Sequence, residues 1–440
     1  MADTDEIFSG CIGFFWPLNE AGEYLESDPQ RGYIQLDGDG FLLVDTLDEN
    51  PMATMGARVD ATESPYALVC STKSTSLLLL NISDAGGSMN MGGNRASVRK
   101  YRCRSAVFGV PIEDVQGVKI NRIEAFFPGI REWSGVEVSE ESYERKPDGR
   151  LESFSLKVAS MPEETMQMSE GKSFMMAAYW SVDGPVDRRS IYCPVSLGCV
   201  SDVSDDIWKL LYPLIRVQDL INLAYDRFIV ADGGRAVISQ NDGSDPSRKL
   251  WDRWLMRVPK TARVSKSNNE SPYFDLADLG GLEGLSRWFT LFEEHSRAVK
   301  PVVDRYRNGD TSAEVSLLEI AAAMEYWKAS HARVPGAEWA KEKYPSLATA
   351  MLAGSPFFAW VGDAEKWADR FWAVYNLLKH EPKFQPDYGE IRMLANVGRR
   401  LLASELLVEV AQSADMREKY WSSHRIHNYG TAVREYVNNL

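Results

Sequence analysis

The sequence predicts an α+β chain in two parts: an antiparallel, β-sandwich-like N-terminal domain followed by an all-α helical bundle. Three observations predict it. Short apolar runs separated by Gly-rich and Asp-rich turns fill the first part of the chain, apolar spacing changes to the helical period from Asp205, and from residue 281 onward that period dominates. We divide the chain accordingly into a β-rich domain over 1–200, a helical linker region over 201–280 and a helical domain over 281–440. A length of 440 residues, with 44% hydrophobic and 25% charged residues, suits several globular domains and excludes fibrous or disordered readings.

In the first part, YIQL (33–36), FLLVD (41–45), YALVCS (66–71) and SLLLLNI (76–82) read as strands. Along 98–108 the side chains alternate. Tyr101, Cys103 and Val107 fall on one face and Lys100, Arg102 and Arg104 on the other, so one face is buried and the basic stripe meets solvent. VKINRIEAF (118–126), LESFSLKV (151–158) and SFMMAAYWS (173–181) complete the strand set, with Trp16 and Trp133 as expected core anchors of the sandwich. From Asp205, residues Ile207, Leu210, Leu211, Leu214, Ile215 and Val217 keep helical spacing, interrupted by Pro213. DGGRAVISQNDGSDPSRK (232–249) and KSNNESP (266–272) read as loops. Helices are expected over 285–306, 313–333, 338–352, 364–380 and 388–413, with another near the C-terminus. Asn308-Gly309 closes the first, and Asp310-Thr-Ser offers caps to the second.

Charge narrows the function classes. Of the net charge of −14, residues 1–280 carry −13 and residues 281–440 only −1, so the second part alone approaches RNA without strong repulsion. All five histidines (His295, His331, His380, His424, His427) lie there too, which puts the side chains that titrate near neutrality in one region. Five cysteines without C-x-x-C spacing read as reduced, mostly buried thiols. The apolar runs are too short to cross a bilayer and the N-terminus lacks a signal-peptide pattern, so a cytoplasmic protein without a membrane partner is expected. No phosphate-cradling glycine motif and no G-x-S-x-G elbow is present.

The segment WADRFWAVYNLLKHEP (367–382) carries the strongest chemical signal. On a helix, Asn376 and His380 share a face with Lys379 beside them, and Pro382 ends the helix just past the histidine. Carbonyl ends at that terminus favour positive charge, so His380 could move protons on a phosphodiester beside an ammonium and an amide. On spacing alone a histidine that merely caps the helix fits equally.

Asn376-Leu-Leu-Lys-His380 resembles the end of the R-N-x-x-x-H signature of HEPN ribonucleases. The segments 317–331 and 391–410 are similar to core helices of the ApeA-like branch, and 8–27 with 118–135 resemble the ApeA N-terminal domain. The resemblance implies an abortive-infection, antiphage protein. Its first domain would sense a phage trigger or ligand, and its HEPN domain would cleave RNA as a homodimer without metal or other cofactor. It also implies a 2′,3′-cyclic phosphate product and roles for His380 in proton transfer and Asn376 in orientation. The sequence departs from the signature at the arginine, where Tyr375 stands. Arg370 is the nearest upstream arginine, about 80° away from His380 around a helix of roughly 100° per residue. Lys379, Arg399 and Arg400 are the other candidate cations, as point charge or as forks from the next helix.

Glu325, with Lys328 and His331, is either an exposed charged stripe or a polar cluster facing His380. His424 and His427 have the spacing of two metal ligands but no carboxylate or thiol companion, and His295 reads as a surface residue paired with acidic neighbours. The reading that follows is a HEPN endoribonuclease, host or phage RNA (tRNA included) being its substrate. The alternative is a catalytically silent helical scaffold that binds or regulates.

Overall fold

A computed structural model describes residues 2–48, 65–88, 97–111, 119–185, 187–203, 206–239, 247–257, 271–385 and 387–440. The chain forms two compact units. One comprises 1–128, 138–215 and 230–257, the other 129–137, 216–229 and 258–440.

In the first unit a short helix, α1 (Ala2–Ser9), precedes strands β1 (Cys11–Leu18), β2 (Gln30–Leu36), β3 (Leu42–Asp48), β4 (Ala67–Thr72), β5 (Ser76–Ser88) and β6 (Ser97–Phe108). These six pair antiparallel in the order β6-β3-β2-β1-β4-β5, and β5 pairs back onto β6, so the ring closes. The antiparallel β-rich first part expected from sequence is present, as a hydrogen-bonded ring rather than two facing sheets. Closure depends on β5. It is 13 residues long, holds Asn81 at φ 56° and shifts register between Asp84 and Gly87, irregularities that bend a strand around a barrel. Alternate residues of the ring point inward, among them Phe15, Ile34, Leu42, Val44, Leu68, Cys70, Leu77, Leu79, Tyr101 and Cys103, and Ile7 of α1 joins them. All five cysteines are free, and burial raises the thiol pKa values of Cys70 and Cys103, keeping them protonated.

The second half of β6 departs from simple alternation, since Ser105, Ala106, Val107 and Phe108 are all buried. There β6 lies between β5 and a further strand, β16 (Ser247–Asp252). Through β16 the sheet continues to β15 (Gly233–Ser239), β7 (Lys119–Phe126), β14 (Val195–Ser201), β11 (Lys172–Ala178) and β10 (Met161–Ser169). A polar relay holds the junction: Asn81 donates to Ser105 at 3.0 Å, and Ser105 donates at 2.6 Å to Asp252, which is fully buried and caps the short helix α4 (Arg253–Met256). Two hairpins, β8 (Ser139–Arg145) with β9 (Leu151–Val158) and β12 (Ser181–Asp183) with β13 (Ser190–Tyr192), pair only within themselves among the described residues.

Several expectations are corrected. The segment 232–249 is not simply a loop: its described ends form the β15–β16 hairpin, so the region 201–280 is not a purely helical linker. Gly233 and Gly234 begin β15 with little apolar signal, and the strand is stabilised by its partners β7 and β16 rather than by its own pattern. Residues 240–246, most of the polar stretch 266–272 and Val118 lie outside the described residues. The division of the chain is interleaved, where one cut near residue 280 was expected. Trp133 is fully buried but belongs to the second unit, where its carbonyl accepts from the Leu276 N–H at 2.8 Å.

The second unit is helical. It contains α2 (Ile130–Ser134), the end of α3 (Ile207–Tyr225), and then α5 (Leu282–Glu294), α6 (Ser296–Asn308), α7 (Ala313–His331), α8 (Glu338–Lys341), α9 (Pro345–Val361), α10 (Ala364–His380), α11 (Tyr388–Ala411), α12 (Asp415–Ser422) and α13 (His424–Asn438). The helix expected over 285–306 is broken at His295. His295 leaves helical conformation at φ −122° and ψ 34°, although Trp288, Phe292, Val299 and Val303 continue one apolar period across it. The helix expected over 338–352 is likewise two, because Pro345 opens a new helix where its missing N–H costs nothing.

Helix α11 is buried along most of its length, including Leu394, Val397, Leu401, Leu402, Leu406 and Leu407. Gly398 makes its close packing possible: a Cβ there would stand 2.9 Å from Phe371 of α10 and 3.1 Å from Ile320 of α7. Gly398→Val is therefore expected to overpack this crossing and to cost about 1–3 kcal/mol, read as a lower denaturant midpoint at unchanged slope.

Candidate functional site

Helix α10 builds the predicted site. Asp363 caps its start, accepting from the Lys366 N–H at 3.0 Å, and Trp367, Phe371, Val374 and Tyr375 face the core. With that face buried, Asn376, Lys379 and His380 are left exposed at the other end. The helix stops where expected. Glu381, forced out of helical conformation by the following Pro382, returns its N–H to the Leu377 carbonyl at 2.9 Å.

Tyr375, standing where the signature would have arginine, is buried edge-on against Trp372. Its hydroxyl lies 3.5 Å from Glu325 Oε2 and accepts from Lys379 Nζ at 3.2 Å. The structure thus brings Glu325, Tyr375 and Lys379 together, and His380 follows Lys379 at the helix end. The hydrogen bond to Tyr375 raises the Lys379 pKa, with a further contribution from Glu325 charge, so the side chain is held as an ammonium.

The other predicted cations stand elsewhere. Arg370 is about 15 Å along the helix axis from His380, at 1.5 Å per residue. It forms a bidentate pair with Glu390 (2.7 and 2.8 Å), which also accepts from Tyr436. Arg399 donates to Asn396 at 2.9 Å and to Ser316, and Arg400 donates to Asp226 at 3.0 Å. Both line a cavity of about 980 Å³ formed by α6, α7, α11, α13 and the turn after α3.

The sequence reading missed most of this cavity, whose lining includes Lys300, Arg305, Tyr388 and Arg392. One signal was available. Tyr388, Arg392, Asn396 and Arg399 recur at spacings of four, four and three, and so share one face of α11. Asp226 carried no such signal. It sits beyond the end of α3 at φ 50° and binds Arg305 at 2.9 Å, Arg400 at 3.0 Å and the Tyr306 hydroxyl at 2.8 Å.

The remaining histidines are also located. His295 is half-buried, with Nδ1 3.2 Å from the Tyr326 hydroxyl, and packs against Trp327 and His331 rather than pairing with acidic neighbours. His331 Nδ1 lies 2.9 Å from the Trp327 carbonyl. His424 and His427 are exposed at the start of α13, and among the described residues no cluster of His, Cys, Asp or Glu has the makings of a metal site.

The family model for ApeA N-terminal domain 1 matches residues 10–288. The chain belongs to the ApeA N-terminal domain 1 family. The ApeA-matched region takes in every strand from β1 to β16 and ends within α5, so Asp226 lies inside it and the predicted catalytic residues lie beyond it. No curated protein and no solved structure matches the chain. Among the described residues no helix is long and apolar enough to cross a membrane.

Proposed function

We propose that this chain is a cytoplasmic antiphage protein of the abortive-infection type. Its helical part acts as a metal-independent HEPN endoribonuclease, and its β-rich part senses a phage trigger or restrains cleavage. Membership in the ApeA N-terminal domain 1 family supports the defence role. The observation that carries the catalytic reading is the exposed group Asn376, Lys379 and His380 at the end of α10.

In this scheme the RNA 2′-hydroxyl loses its proton to His380 and attacks the adjacent phosphorus. The bond from phosphorus to the 5′-oxygen breaks, that oxygen takes a proton from the protonated imidazole (imidazolium) of His380 in a second copy of the chain, which is left neutral, and a 2′,3′-cyclic phosphate and a 5′-hydroxyl result. Lys379 offsets charge on the non-bridging oxygens, and Asn376 orients the imidazole or the substrate. Purified protein incubated with total RNA in a metal chelator should yield fragments with cyclic phosphate ends. RNA left whole, in the presence of phage lysate as a source of trigger, would overturn the reading.

A second reading, a catalytically silent helical scaffold, is favoured by two observations: Arg370 is already engaged by Glu390, and a buried tyrosine stands at the signature arginine position.

A further inference from the structure

The cavity beside α11 has a charge that the rest of the protein does not explain. Seven Lys and Arg side chains line it against four Asp and Glu, in a chain whose net charge is −14. The deepest carboxylate, Asp226, already serves Arg305 and Arg400. Arg399 has neutral partners, Asn396 and Ser316, and its Nε is sealed from solvent with no hydrogen-bond partner among the described residues. Burial, reinforced by the charge of Arg305, lowers the Arg399 pKa to about 10. The guanidinium is still protonated at neutral pH, so the fold holds a desolvated cation that an anion would stabilise.

Size and lining define the anion further. A cavity of about 980 Å³ far exceeds the needs of one inorganic ion and lies at the upper end of small-molecule sites, roughly 300–1,000 Å³. One face of α11 runs from the rim inward through Tyr388, which is 63% exposed, then Arg392, Asn396 and Arg399. An aromatic face suits a base, and guanidinium forks suit phosphate oxygens. We propose that this cavity binds a nucleotide polyphosphate, with its phosphates on Arg392 and Arg399 and its base against Tyr388. The site goes beyond the ribonuclease reading and stands independently of it, since His380 is not among the lining residues.

Titration calorimetry on the full chain, with ATP, GTP and inorganic tripolyphosphate as probes, tests the proposal. Nucleotides should bind more tightly than tripolyphosphate. Arg392→Ala, a change at an exposed residue, should weaken binding about tenfold or more without moving the melting temperature. Arg399→Gln should abolish binding and, because it removes a buried charge whose hydrogen-bond partners are neutral, leave the ligand-free protein at least as stable. His380→Ala should bind as the wild type does, which separates this site from the catalytic assignment. The proposal is overturned by no heat from either nucleotide at about 1 mM, or by wild-type affinity in both arginine variants. Loss of binding in His380→Ala would overturn the independence of the site, and tripolyphosphate binding as tightly as ATP would overturn the nucleoside part.

Discussion

Replacing His380 with alanine is expected to lower RNA cleavage by about 10²–10⁴-fold, the usual contribution of a positioned acid or base. The fold should not suffer. His380 is the last residue of α10, exposed, and the N–H that closes the helix comes from Glu381 and goes to Leu377. An exposed side chain of this kind changes stability by roughly ±0.5 kcal/mol when removed. Cleavage and thermal melting measured on the same preparation therefore separate chemistry from unfolding. Cleavage at the wild-type rate would remove the histidine from the mechanism. Lys379→Met tests the charge: with its ammonium held against Tyr375, its loss should slow cleavage without changing the pH profile, because it acts as a fixed cation.

The second large effect concerns stability. Asp226→Asn is expected to destabilise the protein by about 3–5 kcal/mol at neutral pH, because it strands two mostly buried guanidinium groups. Asparagine accepts the positive φ that Asp226 adopts, so the backbone need not move and the loss is electrostatic. Burial alone would raise the Asp226 pKa, but Arg400, Arg305 and the Tyr306 hydroxyl outweigh it and pull the value down to about 2. A carboxylate whose pKa is depressed on folding adds stability above its unfolded value, about 3.9. That stability is lost as pH falls through the folded value. The gap between wild type and variant should therefore be full at pH 7 and should narrow between about pH 4 and pH 2. Equal denaturation midpoints at pH 7 would refute the assignment of Asp226 as the counter-charge of this cluster.

Local periodicity carried a good deal of the fold. The alternation of Tyr101 and Cys103 with Lys100 and Arg102 is the inward and outward pattern of β6, since the ring buries one face of that strand. Helix α10 spans Ala364–His380 as its apolar spacing, its Asp363 cap and Pro382 foretell. These features depend on residues within a turn or two of each other, where sterics and capping act directly. Asn376, Lys379 and His380 shared a helix end on the same grounds.

Closure of the ring was not legible, because it depends on β5 pairing with β6 across strands whose local patterns would suit a sandwich equally well. Nor was the β15–β16 hairpin, which has little apolar signal of its own and is held by β7 and β6. The break at His295 was not legible either, because the apolar period runs through it unchanged from Phe292 to Val299 and only the backbone departs from helical geometry.

By itself, then, the sequence determined where chains of local hydrogen bonds start and stop, which faces are apolar, and that titratable chemistry is concentrated in the second part. Only the tertiary structure decided which charges meet. Asp226 comes to neutralise Arg305 and Arg400, Glu390 takes up Arg370, and Arg399 is left with neutral partners. Coulomb energy and desolvation depend on distances through space, and residues 226 and 400 are brought within 3.0 Å by packing that no local pattern encodes.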